Sequence, residues 1–583
     1  LEREELKATP DPTTTDPVRP VVRAVCLTMV KNEQDIIEPF LRHNSRFFDA
    51  MIVLDNGSTD RTREIALAVS RDCPGIFVTD LRSRAYDQAI VLSRAIAFVQ
   101  SAFFADFVFL LDADEFLTVE SAEALFATIA EVPVGTTVKM PWRTYLPDPA
   151  HGGAGVETGA KPEPTDVLKI LTWRRIAEGR GASKVALRLG GAVNSRITLD
   201  QGSHKAFGAN GRPVRTKRFA GLEIAHLPVR SEDQMLAKGV IGWRANLARA
   251  NPGRRQAFQW QRLHDLYFRA NRSVGEVNIS DVALHYAQTR PFGTWETNAM
   301  FDPPPIVSER KFSDGTFASA DALIAASEGQ DALHPSRFSF PIRAASGTGK
   351  NDIDTAFEAE WHWVRLFLDV APFANLYERL QPASVLDVGC GHGLYLDLAR
   401  QCGAVELMGV DGMERSATAL PEGAYITHDL HNPLTLGRTY DIVQCMEVVE
   451  HLRPGATGMI FDGLVAHARE VILFSMAEPG QPGHQHINMR TMAEVLELWT
   501  ARGWWPDLRA TLGFRGLATL SWFRRNALVL RPVRGPTAEA DVAALVAIGQ
   551  KPFRWYNQDH GIREGAFEEA PPPPRRAYGK RHP

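Results

Sequence analysis

The chain has 583 residues, 44% hydrophobic and 23% charged, with a net charge of −4 and a pI near 6.5. That length exceeds one core and suggests about three to four domain-sized units, while the absence of a basic footprint argues against a nucleic-acid partner. Five scattered cysteines without a Cys-x-x-Cys pair suggest neither a zinc site nor a disulfide framework, and no apolar run reaches about 18 residues, so a cytoplasmic protein without a transmembrane helix is expected.

Residues 1–20 carry acids, threonines and prolines without periodicity and read as a tail. From Val21 the pattern changes: VVRAVCLTMV reads as a buried strand, KNEQDIIEPFLRHNSRFF as an amphipathic helix, and MIVLDNGSTD as a second strand entering a turn. A helix from Thr62, a strand at 76–80 and a helix at 88–101 lead to the apolar run 107–111. This alternation predicts a parallel α/β sheet with right-handed crossovers. LDNGSTDRT, residues 54–62, places a carboxylate, a glycine turn and hydroxyls at a strand end, suited to a nucleoside or to an Asx turn alone. In LLDADEFL, residues 110–117, Asp112 and Asp114 end the apolar run where open parallel sheets bind ligands. Acids two apart point the same way on an extended backbone, and a divalent cation clamping a diphosphate would neutralise them. The alternative is that Asp114 caps a helix from Thr118.

TMVKNEQDIIEPFLRHN, VLDNGSTDRT and LLDADEF, in that order, resemble family 2 glycosyltransferases of the GT-A fold, in the branch with a Lys-Asn-Glu opening. The resemblance implies that Thr28, Lys31 and Glu33 lie beside a nucleotide-sugar donor, that Asp55 contacts the nucleoside with Asp60 in the same loop, and that Asp112 and Asp114 hold a manganese or magnesium ion. KVALRL at Lys184, GSHKAF at Gly202 and HLPVRSEDQMLAKG at His226 resemble later blocks of the branch. They make His204 and His226 candidates for a further metal ligand or an acceptor contact; each also reads as a turn or strand-end histidine. Inverting transfer needs a base on the acceptor hydroxyl. Glu232 and Asp233 are the candidates, although the branch pattern aligns Arg230, Ser231 and Gln234. Residues 235–289 read as helices with a packing stripe of aromatics, and 290–353, richer in proline and glycine, as a linker with a short helix near 319–327.

A second unit is expected at 354–532. A helix from AFEAEWHWV leads to SVLDVGCGHGLYLDLARQ, where an apolar strand runs into Gly389, Gly391 and Gly393 before a helix, a turn that lets backbone approach a ligand. Asp411 ends the next strand 24 residues past Asp387, Asp429 ends a third, and YDIVQCMEVVEHL forms the fourth. This set resembles class I S-adenosylmethionine-dependent methyltransferases, with Rossmann-like seven-stranded sheets closed here by strands near 508–512 and 526–530. By that resemblance Asp387 and the glycines surround the methionine moiety, Asp411 holds the ribose, Asp429 approaches the adenine amine, and Met446 lines the cofactor. His451, His484 and His486 are candidates for a base on an alcohol acceptor; His451 capping its turn and a metal on His484 and His486 are the alternatives. Residues 533–583 read as a proline-rich tail.

The expectation is therefore a two-domain α/β enzyme: inverting, metal-dependent glycosyl transfer to a glycan or glycolipid at 21–289, and methyl transfer, to oxygen, at 354–532. Bacterial surface glycan synthesis with peripheral membrane association fits both. A glycan-binding scaffold with one active half, or a methyltransferase for an unrelated lipid, protein or small molecule, are the rivals.

Overall fold

The structure, a computed structural model, describes residues 24–81, 87–149, 166–179, 183–189, 197–248, 258–269, 279–287, 293–306, 309–328, 337–340, 367–413, 418–483, 485–551, 553 and 561–563. The expected tail at 1–20, the start of the helix expected from residue 356 and His484 lie outside them.

Strands β1 (Ala24–Val30), β2 (Ala50–Asp55), β3 (Ile76–Asp80) and β4 (Phe107–Leu110) are parallel, in the order β3-β2-β1-β4. Their near-continuous apolar runs are buried on both faces. Alternate residues feed two cores: Val25, Leu27, Ile52, Leu54 and Val108 enter one, and Ala24, Cys26, Met51, Val53 and Phe107 the other. Helices α1 (Ile37–Asn44), α2 (Thr62–Asp72) and α3 (Gln88–Phe103) supply the crossovers. The sheet continues, partly antiparallel, through β5 (Glu115–Leu117), β6 (Thr137–Leu146), β7 (Trp173–Arg175), β8 (Ser183–Arg188), β9 (Thr216–Arg218), β10 (Ile224–His226) and β11 (Ala299–Phe301), giving eleven strands among the described residues. Helix α4 (Ala122–Ile129) follows β5 and is capped by Ser121, so no helix starts at Thr118 for Asp114 to cap. Helices α5 (Glu232–Leu247), α6 (Phe258–Arg269) and α7 (Ala320–Ala326) pack together at one end.

Much of the stretch expected to link the domains instead packs on the first. β11 pairs with β7, α7 joins the apolar cluster of α5, and the amides of Lys311, Phe312 and Ser313 donate at 2.8–2.9 Å to the buried Glu38 carboxylate. A carboxylate out of water requires such donors, which ties these residues down.

The second sheet holds β12 (Ser384–Val388), β13 (Glu406–Asp411), β14 (Tyr425–Thr427), β15 (Tyr440–Met446), β16 (Ala468–Ser475), β17 (Trp505–Pro506) and β18 (Leu528–Arg531), in the order β14-β13-β12-β15-β16-β18-β17. Only β18 runs against its neighbours. Helices α8 (Val370–Leu380), α9 (Leu394–Gln401), α10 (Thr457–His467) and α11 (Met492–Thr500) flank it. The strand expected at 508–512 is a helix, α12 (Leu508–Leu517), because Asp507 caps it by accepting the Ala510 N–H at 2.9 Å. The expected terminal tail begins with a further helix, α13 (Ala538–Gly549), whose Leu545 and Ile548 lie in the core.

The two halves share that core. A Cβ on Gly513 or Gly516 of α12 would stand 1.8 Å from Phe77 or 2.5 Å from Phe103 of the first half. Around this contact Asn375 donates to the Val78 carbonyl at 2.8 Å, and Arg63 and Arg337 each bridge Asp80 and Glu378. Among the described residues no helix is long and apolar enough to cross a membrane.

Candidate functional site

A cavity opens at the carboxyl ends of β1 and β4. Residues 29–33, Asn56, Gln88 and Asp112 line one side; Gln234, Lys238 and Ile241 of α5, with Trp260, line the other. β4 ends at Leu110, so Asp112 and Asp114 lie in the turn before β5 and not on an extended strand. The expectation that both point the same way therefore fails. Asp112 reaches the cavity wall, its side chain 32% exposed, and accepts from Gln88 Nε2 at 2.7 Å and Lys184 Nζ at 2.6 Å. Asp114, 3% exposed, turns behind the wall to Lys238 Nζ at 2.7 Å and Arg230 Nη1 at 3.8 Å. Burial works to raise its carboxyl, but the Lys238 and Arg230 cations prevail and hold it well below the usual range.

Arg230 is the hub of this floor. Its guanidinium is fully buried and meets Glu33 and Asp35, the latter at 2.7 Å. It thereby fastens the β1–α1 loop to the segment before α5. Burial pushes Glu33 up to about 7 despite Arg230 and Lys238. Lys31 and Glu33 line the cavity wall, but Thr28 does not; it is fully buried in β1. Asp55 accepts from the Ser58 hydroxyl at 2.5 Å, and Asp60 from the Gln34 and Thr62 amides at 3.1 and 2.9 Å. Both close their turn, leaving Asn56 as that loop's cavity residue.

Three expectations change. His204 and His226 flank Trp142, with ring centroids at 5.4 and 4.1 Å, and His204 Nδ1 lies 2.7 Å from the Ser183 carbonyl. Burial drives the His226 imidazole down to about 3, so it is neutral. Among the described residues, neither histidine joins Asp112 and Asp114 in a group of three ligand atoms within 4.8 Å, so the four-residue metal centre is not assembled. Glu232 and Asp233 occupy the first turn of α5, away from the lining; Glu232 is exposed and Asp233 accepts the Ala320 N–H at 2.9 Å. They are helix-start acids, not bases beside the cavity. A magnesium or manganese ion needs only one or two carboxylates besides phosphate oxygens, so the residues present fit such an ion at Asp112, without Asp114 as a direct ligand.

The second site is the turn after β12. Gly389, Gly391 and Gly393 have φ of +79°, +52° and +78°. A Cβ would lie 2.3 Å from Val448 at Gly389 and 2.4 Å from Leu420 at Gly393, whereas Gly391 meets nothing within 4 Å. Two glycines thus permit packing and the third leaves open space. Gly391 N–H donates at 2.8 Å to Asp411 Oδ2, whose partner oxygen takes the Met413 amide at 3.1 Å. Asp387 is buried, which pushes it up to about 7. Asp429 is exposed and closes a turn with the His431 amide at 2.9 Å; Met446 ends β15. Glu450 is buried and His451 half-buried in the following turn, and the His451 and His486 rings lie 5.1 Å apart. Lys184, Lys238 and Gln88 are the site residues sequence reasoning missed. A lysine heading the apolar run KVALRL was the available signal.

Residues 26–167 match the family model described as glycosyl transferase family 2, and residues 361–470 match a methyltransferase domain. A tRNA U34 carboxymethyltransferase of Serratia proteamaculans (strain 568) is 26% identical over 182 residues, 27% of this chain and 53% of its own length. One from Geobacter sp. (strain M21) is 25% identical over 185 residues, again 27% and 53%. The chain thus spans about half the length of the curated relatives it matches. Among solved structures, the plantazolicin methyltransferase BpumL with SAH aligns at 14% identity and a TM-score of 0.21, covering 28% of this chain and 83% of that one. An O-methyltransferase of a Brevibacillus brevis trans-AT PKS multienzyme with S-adenosyl-L-homocysteine aligns at 14% and 0.24, covering 31% and 77%. The chain carries a glycosyl transferase family 2 domain followed by a methyltransferase domain.

Proposed function

We propose that the chain is a bifunctional transferase that moves a sugar from a nucleotide-sugar to a glycan or glycolipid acceptor with inversion, and a methyl group from S-adenosylmethionine to an oxygen in the same glycan pathway. The observation that carries the first activity is the cavity at the β1 and β4 ends, where Lys31, Lys238 and Asp112 gather charge suited to a diphosphate. A manganese or magnesium ion bound at Asp112 would offset the charge of the leaving diphosphate. Lys184 and Gln88 hold that carboxylate in place, and Arg230 with Lys238 fixes the floor beneath. For the second activity, Gly391 presents open backbone space beside Asp411 at a sheet's carboxyl edge, the geometry a sulfonium nucleoside requires. Alignment of acceptor oxygen, methyl and sulfur then carries the reaction. Surface glycan synthesis, in the cytoplasm and against the membrane that carries a glycolipid acceptor, accommodates both steps.

A screen of nucleotide-sugars for hydrolysis, with and without manganese, tests the reading. Asp112→Asn is expected to lower hydrolysis at least 100-fold while S-adenosylmethionine binding stays intact, and Asp411→Ala to do the converse. Survival of both activities in both variants would overturn the site assignments.

A further inference from the structure

The turn that follows β15 in the methyltransferase half gathers four potential metal ligands. Ligand atoms of Glu450, His451 and His486 all lie within 4.8 Å of one another, and Glu447 stands one turn earlier. Glu450 is 0% exposed, and apart from the Glu447 carboxyl lying against it no donor side chain reaches either of its carboxylate oxygens or Glu447 Oε1. A buried carboxylate that no donor side chain reaches is costly unless a cation meets it.

The cluster is built from backbone outward. Ile487 and Asn488 amides donate to the Glu450 carbonyl at 2.9 and 3.0 Å, and Asn488 Nδ2 donates to the Val449 carbonyl at 3.1 Å. These bonds pin the His486 loop against the Glu450 turn. Gly483 makes room for the ring: a Cβ there would lie 2.0 Å from His486 Cε1. Glu447 has φ of +55°, a costly conformation for a side-chain-bearing residue, and its other oxygen is held by Gln481 at 2.6 Å. Two loops are thus fixed around a small space lined by imidazole and carboxylate.

We propose that Glu450, His451 and His486, with Glu447 beside them, bind a divalent transition-metal ion. Two imidazoles with carboxylates favour zinc or manganese over magnesium or calcium. The binding stands independently of the methyl-transfer reading; under that reading, the ion would hold the acceptor hydroxyl and make it more acidic.

The test is titration of the full chain with zinc alone, in an Asp112→Asn background that removes the cavity site. One equivalent is expected to bind, with affinity at least 10-fold weaker after Glu450→Gln or His486→Ala. S-adenosylhomocysteine binding, measured in parallel, reports separately on the cofactor pocket. A zinc-edge absorption spectrum of the one-equivalent complex needs no substitution at the cluster and is expected to show two imidazole ligands. No zinc binding, binding unchanged in both variants, or a spectrum without imidazole would overturn the proposal.

Discussion

Asp112 and Asp114 stand two residues apart yet face different surroundings, and the difference is made by lysines distant in sequence. Lys238 is 124 positions beyond Asp114, and Lys184 is 72 beyond Asp112. The acids were legible because two carboxylates end an apolar run. Their partners were not, because no local pattern announces which cation will fold back onto a strand end. Removing one member of a buried pair costs more than the pair contributes, since the other charge stays out of water. Lys238→Met is accordingly expected to destabilise the chain by about 3 kcal/mol, read by chemical denaturation without any ligand. Asp112 is itself half-buried, but its partner Lys184 is 1% exposed and would be left out of water in the same way, so Asp112→Asn is expected to destabilise the chain as well, read by the same denaturation.

At the scale of elements, the strand and helix alternation of both halves, the glycine turn and most strands were legible from periodicity. The strand expected at 508–512 was misread because β-branched and apolar residues there suit either structure, while the deciding signal, Asp507 as a helix cap, is a single residue. The linker was misread for another reason. Proline and glycine content does not reveal that Glu38, buried some 270 residues earlier, draws three amides onto itself. Helix α12 makes a sharp prediction: Gly513→Val drives its first added carbon to 1.8 Å from Phe77. Overpacking of this kind is expected to cost about 1–3 kcal/mol, against about 0.5 kcal/mol or less for Gly535→Ala, where nothing lies within 4 Å. Thermal melts of the two variants compare them directly.

Across the whole molecule, buried acids set the pH response. Burial pushes both Asp369 and Asp387 up to about 7. Between about pH 4 and 7 the unfolded chain has these groups ionised while the folded chain keeps them protonated, so unfolding releases protons and stability falls as pH rises. The slope is about 1.4 kcal/mol per pH unit for each group. Acids held low, such as Asp80 and Glu38, act in the opposite sense, their contribution being lost only as pH falls through the acidic range below their ordinary values. The chain is expected to be more stable at pH 5 than at pH 8, and Asp387→Asn to flatten that dependence in denaturant titrations.

The core common to α3 and α12 has a further result. Phe77 and Phe103 are covered by glycines from the other half, so neither sheet can open without stripping its neighbour. Heating should therefore give one calorimetric peak for the entire polypeptide, and saturating S-adenosylhomocysteine should slow amide exchange even in the strands beneath the cavity at the β1 and β4 ends.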